Sequence, residues 1–128
     1  RCLIPATGFY EWTKAEDGSR QPWYIYPRDV DFLAFAGIWQ DWTSPEGEVS
    51  TTCAMVTTAA NDTISAIHHR MPVTIAPSDF ALWLGEEGKG AATLMRAGPE
   101  GALQFHRVDT RVNSNRPDDP ELLAPLNG

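Results

Sequence analysis

Residues 1–12 read RCLIPATGFYEW, and this stretch indicates the fold class more directly than any other. The apolar run from Cys2 to Pro5 suits a buried strand, and Gly8 separates it from an aromatic group, Phe9 to Trp12. Short apolar segments divided by glycine are typical of strands that follow one another through tight turns. We therefore expect antiparallel pairing rather than a parallel sheet.

The rest of the chain continues this pattern of short strands with few helical stretches. Further strands are predicted over Trp23–Tyr26, Phe32–Trp39, Ser50–Thr58, Val73–Ile75 and Gln104–Val108. Short helices are predicted over Asn61–Ile67, Ser78–Leu84 and Lys89–Ala97, followed by an irregular tail over residues 113–128. The predicted class is α+β, with mainly antiparallel short strands in a barrel-like sheet, and the sequence contains no glycine-rich phosphate loop.

The composition predicts a single domain over residues 1–128. Apolar residues make up 42 % of the chain, which is enough for a core of ordinary size. No apolar run approaches the roughly 18 residues of a membrane span, and the first residues lack the pattern of a signal peptide. We expect a cytoplasmic protein. The net charge of −7 argues against broad, non-specific DNA binding, although a local basic groove stays open.

Glu11 is the first candidate for chemistry, because a carboxylate among aromatic residues is unusual. Apolar neighbours disfavour the charged form of a carboxyl group, which suits a general acid or base. The alternative is that strand alternation turns Glu11 to solvent while Phe9 or Tyr10 faces inward.

The second candidate is the sequence HHRMP, which begins at His68. Two adjacent histidines on extended backbone point opposite ways, so we expect His68 and His69 to chelate one metal poorly. One of them could donate a proton near neutral pH, and Arg70 could hold a phosphate with two donors. The alternative is a helix C-terminus at which these side chains satisfy the last carbonyls.

Two further combinations of residues have little support. A zinc site made of His68, His69, His106 and a cysteine matches no common zinc spacing, so we expect no metal and no cofactor. Cys2 and Cys53 have apolar or β-branched neighbours, which predicts buried, unreactive thiols rather than a nucleophile.

The tryptophans could stack on unpaired bases or pack in the core. For Trp23 and Trp39 we expect core packing. Trp12, beside Glu11, stays open to both interpretations.

Read together, these motifs resemble one family. The resemblance rests on RCLIPATGFYEW and then, in order along the chain, on QPWYIY, FLAFAGIW, TTCAMVTTAAN, AIHHRMPVTI, SDFALWL and VDTRVNSNRPDDPELLAPL. The chain looks like the C-terminal larger part of an SRAP domain, the SOS response-associated peptidase family, which includes an abasic site processing protein.

The resemblance implies DNA repair. Family members bind single-stranded DNA that contains an abasic site and form a covalent thiazolidine cross-link through an N-terminal cysteine, which is exposed by self-cleaving removal of the initiator Met. In this chain Glu11 and His68 would then be the catalytic residues, while Trp12 and Arg70 would contact DNA. We expect no cofactor, no membrane association and a monomer.

The resemblance also implies that an N-terminal segment beginning Met-Cys-Gly-Arg is missing. Cys2 lies in the internal RCLIPA motif and does not match the nucleophile. We therefore expect the 128-residue chain to be incomplete at its N-terminus and inactive by itself. Two alternatives remain at this point: a degenerate member that binds single-stranded DNA without chemistry, and a different binding domain that reuses the fold.

Overall fold

The computed structural model describes residues 1–127, which form eight β-strands, two short α-helices and four 3-10 helices. The strands are β1 (Cys2–Ala6), β2 (Phe9–Lys14), β3 (Arg20–Pro27), β4 (Leu33–Thr43), β5 (Val49–Met55), β6 (Thr57–Ala59), β7 (Arg70–Pro72) and β8 (Leu103–Arg107). The α-helices are α1 (Asp62–Ser65) and α2 (Phe80–Leu84), and the 3-10 helices are Pro77–Asp79, Ala91–Leu94, Thr110–Asn113 and Pro120–Leu123. No helix within residues 1–127 has the length and apolar character needed to cross a membrane.

The strands form three small antiparallel sheets, in the orders β1-β4-β5, β2-β3-β8 and β6-β7. The predicted α+β class with short antiparallel strands is therefore confirmed. Within residues 1–127 the sheets do not close into a barrel. The β2-β3-β8 sheet positions the candidate site, and β2 lies at one edge of it.

A buried apolar cluster joins this sheet to α1 and to the inner half of β4. Ile25 of β3 and Phe35 of β4 pack with Ile64 and Ile67, the two isoleucines of the predicted helical face. Met71 of β7 belongs to the same cluster. A second cluster surrounds Trp83 of α2 and packs on the other part of β4 and β1. Because burial of each large apolar side chain is worth about 1.5–3 kcal/mol, these clusters fix α1 relative to the sheet.

Two predicted strands are wrong in detail. The segment Ser50–Thr58 is not one strand, because the backbone N–H of Val56 donates to Ala36 of β4 and so separates β5 from β6. The segment Val73–Ile75 makes an isolated bridge through Thr74, and the regular pairing falls earlier, on β7.

The predicted helix over Lys89–Ala97 is also wrong. Gly90 has a φ of +136°, which a helix cannot contain, and only the 3-10 turn Ala91–Leu94 follows it. The other two predicted helices are shorter than expected. The Asn61 side chain caps α1 at the predicted start, but the helix ends at Ser65 rather than Ile67. Helix α2 begins at Phe80 rather than Ser78, because residues 77–79 form a 3-10 turn, and it ends as predicted at Leu84, before Gly85 with a φ of +83°. The predicted irregular tail contains the 3-10 turn Pro120–Leu123 and begins at the last residue of another, Thr110–Asn113, and Gly128 lies outside the described residues.

The outer half of the β4–β5 hairpin projects from the body of the protein. Residues 38–43 of β4 and all of β5 are exposed, so both faces of the hairpin meet solvent. Trp39 is 55 % exposed, and the expectation that it packs in the core is wrong. Cys53 is exposed as well, contrary to the prediction of a buried thiol, whereas Cys2 is half-buried. Local sequence did not reveal this, because strand residues look alike whether or not a neighbour covers them.

Candidate functional site

Strand alternation in β2 places Glu11 on the inner face of its sheet. Phe9 lies on the same face and packs edge-to-face on Phe35 of the core, with ring centroids 5.8 Å apart. Trp23 of β3 is directly opposite Glu11 in the register, and side chains at paired positions share a face. Glu11 is therefore not turned away to solvent: 24 % of its side chain is exposed, at the open edge of the core.

His68 reaches the same edge from a different part of the chain. Ile64 and Ile67 anchor α1 and the turn after it in the core, and His68 follows Ile67 directly. The backbone N–H of His68 donates to the carbonyl of Ile64 at 3.0 Å. The core contact of two isoleucines thus determines where the imidazole stands, one third exposed beside β2.

Glu11 and His68 face each other across this edge. Nε2 of His68 lies 3.7 Å from Oε2 of Glu11, which is slightly longer than a hydrogen bond. Nδ1 of His68 accepts the backbone N–H of Arg70 at 3.0 Å and lies 3.1 Å from the carbonyl of the same residue. The bond from the Arg70 N–H suits the neutral tautomer with its proton on Nε2, on the side of Glu11, whereas the Arg70 carbonyl suits a proton on Nδ1.

The two adjacent histidines lie side by side, contrary to the sequence-based expectation that they point opposite ways. The rings of His68 and His69 stack with centroids 4.6 Å apart and an interplanar angle of 23°. The expectation assumed extended backbone, but both residues lie in the turn between α1 and β7. The structure therefore adds His69 to the site.

Arg70 begins β7 on the far side of His68. Its Nη2 donates to the carbonyl of Thr57 at 3.0 Å and to the hydroxyl of Thr57 at 3.1 Å, both on β6. These bonds hold the guanidinium of the exposed Arg70 side chain against β6.

The structure does not bring Trp12 together with the other three predicted residues. Trp12 lies on the outer face of β2, where its Nε1 donates to Oδ1 of Asn113 at 2.5 Å. The guanidinium of Arg20 stands over its ring at 5.6 Å. Trp23, in contrast, packs against the core as predicted, with an edge-to-face contact to Phe105.

The N-terminus of α1 is held by a residue that sequence reasoning missed. The carboxylate of Glu100 accepts the backbone N–H groups of Asp62 at 2.6 Å and Thr63 at 2.9 Å, as well as the Thr63 hydroxyl. The hydrogen bond from the Thr63 hydroxyl is the largest of the effects that lower the pKa of Glu100. Because Glu100 lies far from α1 in sequence, no local capping pattern could have indicated this contact.

The other features of the surface lie outside this site. A cavity of about 720 Å³ is lined mainly by apolar residues, among them Phe32, Leu33, Phe80 and Leu94, and neither Glu11 nor His68 lines it. Within residues 1–127, no group of three or more His, Cys, Asp or Glu side chains is arranged to hold a metal ion. The predicted residues Glu11 and His68 thus meet at an open edge, and the exposed Arg70 follows His68 by two residues.

Known proteins resemble the chain over nearly its full length. The model of the family described as SOS response associated peptidase (SRAP) matches residues 1–115. Abasic site processing protein YoqW of Bacillus subtilis (strain 168) is 32 % identical over 126 residues, covering 96 % of the chain and 56 % of that relative. Abasic site processing protein HMCES of Gallus gallus is 37 % identical over 150 residues, covering 98 % and 44 %.

The fold resembles a solved structure to a similar extent. A protein from Bacteroides thetaiotaomicron, known by its crystal structure, superposes with a TM-score of 0.86 at 26 % identity, covering 98 % of the chain and 56 % of that protein. The chain thus spans about half the length of the relatives that it matches.

Proposed function

The chain belongs to the SRAP family, and from this we propose that it acts on abasic sites in single-stranded DNA, with Glu11 and His68 as the acid–base pair. The observation that carries the proposal is the 3.7 Å approach of His68 Nε2 to Glu11 Oε2 at an exposed edge. Relatives that match the chain are named for abasic site processing. An open edge with one cation beside it suits a substrate that is a flexible, charged strand.

His68 serves the opening of the abasic sugar. The closed sugar is a hemiacetal, and its opening breaks the bond between C1′ and the ring oxygen. The Nε2–H of His68 donates a proton to the ring oxygen while the C1′ hydroxyl gives its proton to a water molecule, which leaves an aldehyde at C1′. Nδ1 of His68 lies beside both the N–H and the carbonyl of Arg70, so it has a hydrogen-bond partner in the neutral and in the protonated ring.

Glu11 serves the covalent step with an N-terminal cysteine. The amine of that cysteine adds to the aldehyde, water leaves to give an imine, and the thiol adds across the C=N bond to close a thiazolidine. The carboxylate of Glu11 takes the proton from the attacking amine and returns it to the departing hydroxyl. Neither Cys2 nor Cys53 matches this cysteine, since both lie within strands of the other sheet. The same nucleophile and carboxylate would remove the initiator Met.

The DNA strand passes over the free edge of β2. Arg70 contacts a backbone phosphate on the His68 side, because its guanidinium extends over the exposed surface there. Trp12 lies on the opposite face of β2 from Glu11. Single-stranded DNA that passes over the edge of β2 can therefore contact Glu11 first and Trp12 next. Trp12 then serves as a stacking platform outside the reacting nucleotide.

The proposal is tested by incubating the protein, expressed from its full reading frame, with single-stranded DNA that contains one abasic site. A denaturing gel should show a shifted band with this DNA and no shifted band when the abasic aldehyde has been reduced beforehand. A band that is unaffected by reduction, or no band at all, would contradict the proposed function. Retarded migration on a native gel without a denaturation-resistant band would favour a binding domain without chemistry.

A further inference from the structure

The ring of His69 has no place in the chemistry above, yet it lies directly against the ring of His68. The two imidazoles stack at 4.6 Å with only 23° between their planes. The backbone of His69 is fixed as well, since its carbonyl accepts the N–H of Ala60 at 3.0 Å. His69 therefore presents its ring to His68 from an anchored position rather than from a free loop.

The orientation of the His68 ring decides what the pair can do. In the observed orientation Nδ1 accepts the Arg70 N–H at 3.0 Å, and Nε2 faces Glu11. A flip of the ring about the Cβ–Cγ bond would replace Nδ1 by a carbon atom at the Arg70 amide and turn Nε2 away from Glu11. With a third of the His68 side chain exposed, the core alone does not block such a flip.

We propose that His69 is a positioning residue, whose stacked ring keeps the His68 imidazole in the plane that directs Nε2–H to Glu11. This inference rests on the proposed function for its effect on the reaction, whereas its effect on the His68 ring can be observed without any reaction. Parallel stacking restricts rotation of a ring out of the shared plane, because rotation separates the two faces. The Arg70 amide thus defines the position of Nδ1 of His68. The His69 ring defines the plane of the His68 ring.

The charged groups around His68 do not provide the same restraint. Glu11 on β2 faces only Nε2, at a distance longer than a hydrogen bond. Arg70 on β7 directs its Nη2 to Thr57. The stacking on His69, in contrast, covers a whole face of the His68 ring.

Two substitutions separate the ring of His69 from its ability to carry a proton. His69→Phe keeps an aromatic face but has no titratable nitrogen, whereas His69→Ala removes the face. Because His69 is exposed, neither change should disturb the core, and a dispersed amide spectrum would verify that each variant is folded.

The first readout is the ¹⁵N spectrum of the His68 imidazole in the 128-residue chain. We expect the wild-type chain and His69→Phe to show one protonated nitrogen, Nε2, and one unprotonated nitrogen, Nδ1. His69→Ala should show averaged nitrogen shifts, as a ring that exchanges between orientations and tautomers does. Unchanged, distinct nitrogen shifts in His69→Ala would overturn the proposal, and averaged shifts in His69→Phe would overturn the role of stacking.

The second readout is the rate of cross-linking by the protein expressed from its full reading frame. His69→Ala should slow it by about 2- to 10-fold, the size expected when one aromatic contact is lost, and His69→Phe should restore it. An equal loss in both variants would contradict positioning by stacking. If no variant and no wild-type protein forms a cross-link, the proposed function fails, while the nitrogen shifts still decide whether His69 orients His68.

Discussion

The backbone and the side chain of Arg70 make different contacts. The Arg70 amide fixes Nδ1 of His68, while its guanidinium reaches the Thr57 carbonyl and hydroxyl on β6. A substitution of the Arg70 side chain therefore leaves the amide that orients His68 in place. DNA binding and ring orientation can be tested separately for this reason.

Arg70→Gln should weaken binding to single-stranded DNA without altering the His68 ring. If Arg70 neutralises one phosphate, the slope of log K against log salt should fall in magnitude by about 0.7, the value for one phosphate on a single strand. Fluorescence anisotropy at several salt concentrations measures this slope. Arg28→Gln is the matched control, because Arg28 lies in the loop after β3 and binds the Gly101 carbonyl. An equal change in both variants would mean a general charge effect.

The sequence predicted which residues belong to the site but not how they are arranged. The motifs GFYEW and HHRMP predicted Glu11 and His68, and the structure brings these two together. The stacking of His69 was missed because it depends on a turn that pattern reasoning treated as extended backbone. Trp12 was grouped with Glu11 by adjacency, although neighbours in a strand lie on opposite faces.

Helix α1 has only four residues, so it depends on contacts from outside for its stability. The Asn61 side chain caps it within the chain segment, with Oδ1 accepting the Ile64 N–H at 3.0 Å. The Asn61 amide also donates to the Gly98 carbonyl, and Glu100 binds the next two N–H groups. The loop over residues 98–100 therefore anchors the helix that precedes the turn with His68.

Glu100→Gln should destabilise the protein at neutral pH and remove part of its pH dependence. The hydrogen bonds from Thr63 and Asp62 lower the pKa of Glu100 in the folded protein. Glu100 therefore stabilises the folded protein fully above its pKa in the unfolded chain, about 4.3. This stabilisation is lost as the pH falls through the lower pKa that Glu100 has in the folded protein. Urea unfolding at several pH values measures this contribution. Glu121→Gln provides a control, and a Glu100→Gln midpoint equal to that of the wild type at neutral pH would contradict the capping role.

The β4–β5 hairpin presents apolar side chains to solvent along a strand edge that no other strand of residues 1–127 pairs with. The exposed residues include Ile38, Trp39, Trp42, Val49 and Met55. Exposed apolar edges of this kind promote association between chains. The sequence predicted strands over Phe32–Trp39 and Ser50–Thr58, which overlap β4 and β5 in part. Their exposure depends on what covers them, and the strand pattern does not contain that information.

Trp42→Lys should reduce self-association of the 128-residue chain at high concentration. A lysine at the edge replaces apolar contact area by a charge that resists strand addition. Sedimentation velocity over a range of concentrations measures the association. Val30→Lys is a control on an exposed apolar residue away from the hairpin. A wild-type chain that stays monomeric throughout the range would contradict this prediction, and it would agree with the monomer expected from the sequence.

The whole chain is acidic, with a net charge of −7, although the family to which it belongs includes proteins named for abasic site processing. A summed charge does not describe a single surface edge, and the exposed Arg70 follows His68 by two residues. The fold class followed from the strand pattern, and the family followed from motifs in a fixed order. The sequence left open how the separate sheets meet, because that depends on contacts between distant residues such as Ile25 and Ile64.

The 128-residue chain by itself should give no denaturation-resistant band with abasic DNA. A thiazolidine needs an amine and a thiol on adjacent carbons. Cys2 and Cys53 carry their nitrogens in peptide bonds, so neither can supply the amine. The measurement is a denaturing gel of the purified chain with abasic single-stranded DNA. A band that disappears when the aldehyde is reduced beforehand would mean that another amine or thiol reacts.

The cross-linking rates of Glu11→Gln and His68→Gln, in the protein expressed from its full reading frame, test the proposed chemistry most directly. Each substitution should slow the reaction by about 100-fold or more, the usual share of an acid–base group. Affinity for DNA with a reduced abasic site should stay near that of the wild type, and Glu16→Gln, in the exposed turn after β2, should react normally. Wild-type rates in both Glu11→Gln and His68→Gln would contradict the central claim that this pair performs the chemistry.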